Sequence, residues 1–206
     1  MSRVAAIVPA KPLARAKTRL GDTLSDAERA DVAARLLERV LTALSAAHGI
    51  DSVWVVGGDE AVRELAARHS AQYVEEPGHD LNESLALALE RLPSEVTHAL
   101  LLPMDLPFLS SEALDLLIDD ASQDGTDVLI APDRWGHGTN ALLVVRPFRL
   151  QPAFGVELAH IAGVEEGIRE NGVLSVVPDE HTAALGEYFP VRPDPDGGAG
   201  EGSPNP

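Results

Sequence analysis

The sequence predicts a single-domain α/β protein whose mostly parallel, twisted sheet carries helices on both faces. Three observations lead there. Short apolar or β-branched runs alternate with longer stretches whose leucines and valines recur at helical spacing, the pattern of successive βαβ units. The run His98-Ala99-Leu100-Leu101-Leu102 is almost continuously apolar, which suits a central strand buried on both faces. At 206 residues and 45% hydrophobic content, the chain can fill one core.

The elements follow in order. Val4 to Pro9 is an apolar run that empties into a basic loop. Ser25 stands before Asp26-Ala27-Glu28 in capping-box spacing, and Val32, Leu36, Leu37, Val40, Leu41 and Leu44 then predict a long amphipathic helix. Ser52 to Val56 is a second strand that ends at Gly57-Gly58, after which Asp59 suits the cap of a helix carrying Val62, Leu65 and Ala66. Gln72 to Val74 is a third strand, Pro77 to Asp80 a loop, and Asn82 to Leu92 a helix. The fourth strand, from His98, delivers Asp105 at its carboxyl end within Pro103-Met104-Asp105-Leu106-Pro107. Ser110 is placed to cap a helix to about Ala121. Val128 to Ala131 and Ala141 to Val145 are further strands flanking a loop from Asp133 to Asn140, and a helix near Val156 to Glu170 and a strand at Val173 to Val177 complete one domain over residues 1–190. Residues 191–206 are mostly Pro, Gly and acid, with too little apolar content to offset their ordering entropy, and are expected to form a disordered tail.

Composition excludes several classes. A formal charge of −17 repels nucleic acid and anionic membrane. No apolar run reaches the roughly 18 residues of a membrane span, and the N-terminus lacks a secretory signal, so a soluble, cytoplasmic protein is expected. A homodimer is compatible with the sequence, which does not fix how many chains assemble. With no cysteine, any metal must be held by oxygen or imidazole, which favours Mg²⁺ over zinc. Against this acidity the basic residues stand out by location. Lys11 and Lys17 are the only lysines, and Arg15 and Arg19 accompany them in the same loop.

Ligands of open α/β sheets bind beyond the carboxyl ends of the strands, where three loops carry suitable groups. The first, Lys11 to Arg19, offers cations to phosphate oxygens, Arg by a two-pronged clasp and Lys as a mobile point charge; taken alone it reads equally as a solvated basic loop. Asp105, in the second, suits Mg²⁺, which binds through one or two carboxylates plus substrate phosphates. Its alternative role is the cap of the next helix, although Ser110 or Ser111 already offers one. In the third, Gly136 and Gly138 permit close backbone approach, and Thr139 and Asn140 can bind a carboxylate or phosphate, though such residues also build ordinary turns. His137 could serve as an acid or base by type but reads as an exposed loop histidine, and a phosphate, were it the nucleophile, would be ionised at neutral pH and need no base. There is no glycine-rich phosphate loop ending in Lys-Ser or Lys-Thr and no dinucleotide fingerprint.

Read together, IVPAKPLARAKTRL, LSDAER, GHDLNES, LLPMDLPFL, IAPDRWGHGTNALL and Phe154-Gly155 resemble the guanylyltransferases of coenzyme F-420 biosynthesis, over about residues 4 to 178. The resemblance implies the Rossmann-like fold of nucleotide-diphospho-sugar transferases, shared with the molybdenum-cofactor nucleotidyltransferases. It implies condensation of GTP with 2-phospho-L-lactate, phosphoenolpyruvate or 3-phosphoglycerate, with release of pyrophosphate. By position it implies that Lys17, with Lys11, Arg15 and Arg19, faces the GTP phosphates, Asn82 the nucleoside, Asp105 the metal, and Thr139 and Gly155 the phosphorylated acid, with Gly138 and Asn140 as further substrate- or nucleotide-binding residues. Two departures accompany it. Phe154-Gly155 runs into Val156-Glu157-Leu158-Ala159 without the family's usual serine, and the family's Asp-x-Asp-Thr-Pro segment is missing near Asp179, Glu180 and Glu187, the carboxylates left as a second metal ligand. These departures motivate a rival reading as a non-catalytic nucleotide-binding relative. A molybdopterin-type transferase, the other rival, usually opens with a Gly-Gly-rich first loop, which is missing here.

Overall fold

The computed structural model describes residues 2–75, 81–123, 128–132, 139–148 and 174–176. Their strands are β1 (Val4–Pro9), β2 (Ser52–Val56), β3 (Gln72–Val74), β4 (His98–Leu101), β5 (Val128–Pro132), β6 (Thr139–Val145) and β7 (Leu174–Val176). They form one sheet in the order β3-β2-β1-β4-β6-β5-β7. β1 pairs in parallel with β2 and β4, β2 with β3, and β5 with β7. The expected mostly parallel sheet is therefore present, and β4 lies at its middle.

One strand departs from the βαβ pattern. β6 runs antiparallel to both β4 and β5. The connection between β5 and β6 spans only residues 133–138, too short for the dozen or more residues that a parallel crossover requires. β6 also begins at Thr139, two residues earlier than expected, so Thr139 and Asn140 belong to the strand and not to the loop. The expected helix at 156–170, the end of the domain near residue 190 and the tail at 191–206 lie outside the described residues.

Alternation along the strands divides the core between the two faces of the sheet. Val4, Ala6 and Val8 of β1, Val55 of β2, Leu100 of β4, Leu129 of β5 and Leu143 of β6 share one buried cluster with Leu37, Val40, Leu41 and Leu44 of α1 (Asp26–Ala46), Val62 and Leu65 of α2 (Glu60–Arg68), and Leu114 and Leu117 of α4 (Ser111–Gln123). Ala5, Ile7, Trp54, Leu101, Ile130 and Leu142 point the other way, onto Leu85, Ala88 and Leu89 of α3 (Leu81–Arg91). Each fully buried leucine contributes about 1.5–3 kcal/mol.

Helix starts are set by side chains. The Ser25 backbone N–H donates to Glu28 Oε2 at 2.9 Å and the Glu28 N–H donates to Ser25 Oγ at 3.4 Å, the reciprocal capping box of α1. No helix among the described residues is long and apolar enough to cross a membrane.

His98 opens β4 with Nδ1 2.8 Å from Thr97 Oγ1, and burial lowers its pKa from the ordinary 6.5. Above that value His98 is neutral in folded and unfolded chains alike. Below it the unfolded chain binds a proton first, so stability is lost as pH falls from about 6.5 towards the lower folded value. Urea titrations at pH 7.5 and 5.5 should accordingly show a smaller acid-induced loss of stability in His98→Gln than in the wild type.

Candidate active site

Chain direction brings the carboxyl ends of β1, β2, β3 and β4 to one edge of the sheet. β1 leaves that edge through Ala10, whose N–H donates to Val56 O at 2.8 Å. A short 3-10 turn, Leu13–Arg15, then buries the Leu13 side chain, and Ala16 is buried beside it. The loop is thereby packed down at its centre while Lys11 and Arg15 remain exposed.

The neighbouring β2–α2 turn supports it. Gly57 and Gly58 have φ of 79° and 101°, conformations that a side chain strongly disfavours. A Cβ at Gly58 would also stand 2.7 Å from the Val62 side chain. This turn presents Asp59, which caps α2 by accepting from the Val62 N–H at 3.2 Å through Oδ1 and receives the Leu13 N–H at 2.8 Å through Oδ2.

Lys17 follows Ala16 in a left-handed conformation, φ 54° and ψ 38°. For a residue with a side chain this costs roughly 1–2 kcal/mol. A second 3-10 turn, Thr18–Leu20, continues from it, with the Leu20 N–H donating to Lys17 O at 2.9 Å. The consequence of this twist is the direction of the ammonium: Lys17 Nζ donates to Asp105 Oδ2 at 2.5 Å, across 88 residues of sequence.

Asp105 reaches that position from β4. The Leu102 N–H donates to Ile7 O at 3.0 Å, extending the pairing with β1, and Leu106 is buried beyond the turn. α4 is capped by Ser110, whose Oγ accepts from the Ala113 N–H at 3.2 Å, so Asp105 is not the cap of that helix. The Lys17 and Asp105 side chains are 26% and 44% exposed. An ion pair that open to solvent contributes about 0–1 kcal/mol, too little to explain a strained backbone on stability grounds.

The other expected residues gather only in part. Asn82 lies in the first turn of α3, at the same edge, because the crossover from β3 to β4 must start there. Thr139 and Asn140 open β6, and the antiparallel register puts that opening beside the carboxyl end of β4. The backbone of Arg19 belongs to the second 3-10 turn, while its side chain lies outside the described residues. Gly136, His137, Gly138, Gly155, Asp179, Glu180 and Glu187 also lie outside them. Among the described residues no cluster of three or more His, Asp or Glu is arranged to hold a metal. Sequence reasoning missed the second bond of Asp59, whose one visible signal was an acidic residue directly after Gly57-Gly58 at a strand end.

A mostly parallel α/β sheet with helices on both faces is the Rossmann-like fold of the nucleotide-diphospho-sugar transferases. Solved structures agree on the fold. A structure assigned to the nucleotide-diphospho-sugar transferases, from Desulfovibrio desulfuricans G20, superposes with a TM-score of 0.70 at 19% identity, covering 86% of this chain and 80% of that one. A cytidylyltransferase from Leptospira borgpetersenii gives 0.57 at 18% identity, over 87% and 77% of the two chains.

Within that class, residues 4–177 match the family described as Guanylyl transferase CofC like, and the chain belongs to this family. It is 39% identical over 151 residues to a phosphoenolpyruvate guanylyltransferase of Sphaerobacter thermophilus, 73% of this chain and 72% of the other. It is 34% identical over 184 residues to a 2-phospho-L-lactate guanylyltransferase of Methanothermobacter thermautotrophicus, 89% and 79% of the two chains.

The left-handed backbone at Lys17 separates stability from charge. Lys17→Gly removes the steric cost that Lys17→Ala retains, so thermal or urea unfolding should find Lys17→Gly more stable than Lys17→Ala by about 1 kcal/mol. Equal stabilities would show that the conformation carries no strain.

Proposed function

We propose that this protein transfers GMP from GTP to a small phosphorylated acid, phosphoenolpyruvate, 2-phospho-L-lactate or 3-phosphoglycerate, and releases pyrophosphate, as a cytoplasmic step of coenzyme F-420 biosynthesis. The observation that carries the reading is the contact of Lys17 with Asp105 at the carboxyl edge of the sheet. Family membership and relatives that act with different acids support the reaction class and leave the acid to experiment.

In this reading a phosphate oxygen of the acid attacks the α-phosphorus of GTP. The new bond is P–O–P, the bond from the α-phosphorus to the bridging oxygen of the β-phosphate breaks, and its electron pair leaves with pyrophosphate. The attacking phosphate is already ionised, so no side chain has to remove a proton. Catalysis is then positioning and charge neutralisation. The Lys17 ammonium turns from Asp105 to the phosphate oxygens, where negative charge builds as pyrophosphate departs, and Lys11, Arg15 and Arg19 add to the same field. Asn82 meets the nucleoside. Thr139 and Asn140, with Gly138 and Gly155, hold the acid.

Asp105 suits Mg²⁺ by its chemistry. It is a strand-end carboxylate that already accepts one cation, and it is open enough for an ion that keeps several waters. When bound, Mg²⁺ would neutralise charge on the phosphoryl oxygens.

The test is pyrophosphate release from GTP and Mg²⁺ with each of the three acids supplied separately, and with ATP and CTP as controls. Release that requires GTP and one acid is expected, and silence from folded protein with every combination contradicts the reading. In the same assay Lys17→Ala and Asp105→Asn should each lower kcat by at least about 100-fold, the scale of losing a charge-stabilising group in a transition state. Near-normal turnover in either variant removes that residue from its assigned role.

A further inference from the structure

The basic loop presents Lys11, Arg15 and Lys17 within a few residues of one another, and like charges at such spacing push a loop away from any single conformation. Something must hold it. We propose that Asp59 is the positioning residue of this active site: its carboxylate fixes the basic loop so that Lys17 meets the nucleotide phosphates, an inference that rests on the guanylyltransferase reading above.

The geometry distinguishes Asp59 from an ordinary helix cap. Its two oxygens serve two elements, Oδ1 the start of α2 at Val62 N and Oδ2 the backbone of the loop at Leu13 N, 46 residues away in sequence. From Leu13 a fixed path leads to the ammonium. The Leu13 side chain is buried, the Ala16 N–H donates to Leu13 O at 3.1 Å, and Ala16 is buried in turn. Lys17 comes next, its left-handed backbone aiming the side chain at Asp105. The loop is thus slung between two carboxylates, Asp59 near its start and Asp105 at the lysine. Gly58 is part of the device, because its φ of 101° and the closeness of Val62 leave room for no side chain at the turn that presents Asp59.

Asp59→Asn separates the two duties. Asparagine is as good an N-cap as aspartate, but it offers one acceptor oxygen where two donors wait, so an asparagine that caps α2 leaves the Leu13 N–H without its partner. Asp59→Ser, another good cap and too short to reach Leu13, serves as a second variant. Ser25→Ala, which removes a cap on α1, controls for loss of helix stability alone. The readout is the dissociation constant of GTP, without acid, by calorimetry. Both Asp59 variants should weaken GTP binding by about tenfold or more, the scale of one lost charge-assisted hydrogen bond, while Ser25→Ala stays within about twofold. In a Lys17→Ala background Asp59→Asn should add less than about twofold, because a residue that acts through Lys17 has little left to position. Wild-type GTP affinity in the Asp59 variants overturns the proposal, as does an equal loss in both backgrounds, which marks a general structural effect. A wild-type protein that binds no GTP overturns the guanylyltransferase reading itself.

Discussion

One contact organises this molecule: an ammonium on the first loop and a carboxylate beyond the fourth strand must meet at a single edge of the sheet. Each group reaches that edge by its own route. Lys17 arrives there because β1 ends beside β4, because Leu13 and Ala16 bury the middle of the loop, and because its own backbone accepts a left-handed twist. Asp105 arrives because a strand buried on both faces must end in a turn at the surface, and its polar residues then line the crevice where α/β sheets take their ligands. The contact itself adds little stability, since both side chains are partly solvated. In the proposed reaction its value lies in an ammonium that can pass from the carboxylate to phosphate.

In the proposed function, that arrangement lets an acidic protein take a polyanionic ligand. A net charge of −17 opposes the approach of a triphosphate, so attraction has to be local and concentrated. Both lysines of the chain stand on this loop. Pairing one of them with Asp105 keeps the loop from repelling itself while no ligand is near, and a triphosphate offers that same ammonium more oxygens than one carboxylate does.

Much of the fold was legible because it is written in local signals. Hydrophobic periodicity marked the strands and helices, the Ser25–Glu28 box, Asp59 and Ser110 marked three helix starts, and the apolar run ending before Asp105 marked the central strand. The direction of β6 escaped a reading built on alternating elements, although the length of the 133–138 connection already forbade a crossover helix. A Gly-Thr-Asn segment looks like turn chemistry, so residue types alone leave Thr139 and Asn140 in the loop, whereas pairing with β5 draws Thr139 into the ladder opposite Pro132. At the site, residue types pointed to Lys17 and Asp105 separately. Their meeting, and the reach of Asp59 to Leu13, join positions 88 and 46 apart, and tertiary contacts of that span leave no periodic trace in a sequence.

Because the chain has two lysines, lysine-selective ¹³C labelling yields two side-chain signals, and Lys11→Arg assigns them. The central claim is that the Lys17 ammonium exchanges its carboxylate partner for nucleotide phosphate. The decisive measurement is therefore the Lys17 Cε signal during a GTP titration, in the wild type and in Asp105→Asn. The account predicts that GTP shifts this signal in the wild type, and that Asp105→Asn shifts it before any GTP is added. A Lys17 signal that stays in place at saturating GTP, and that is indifferent to Asp105, would contradict it.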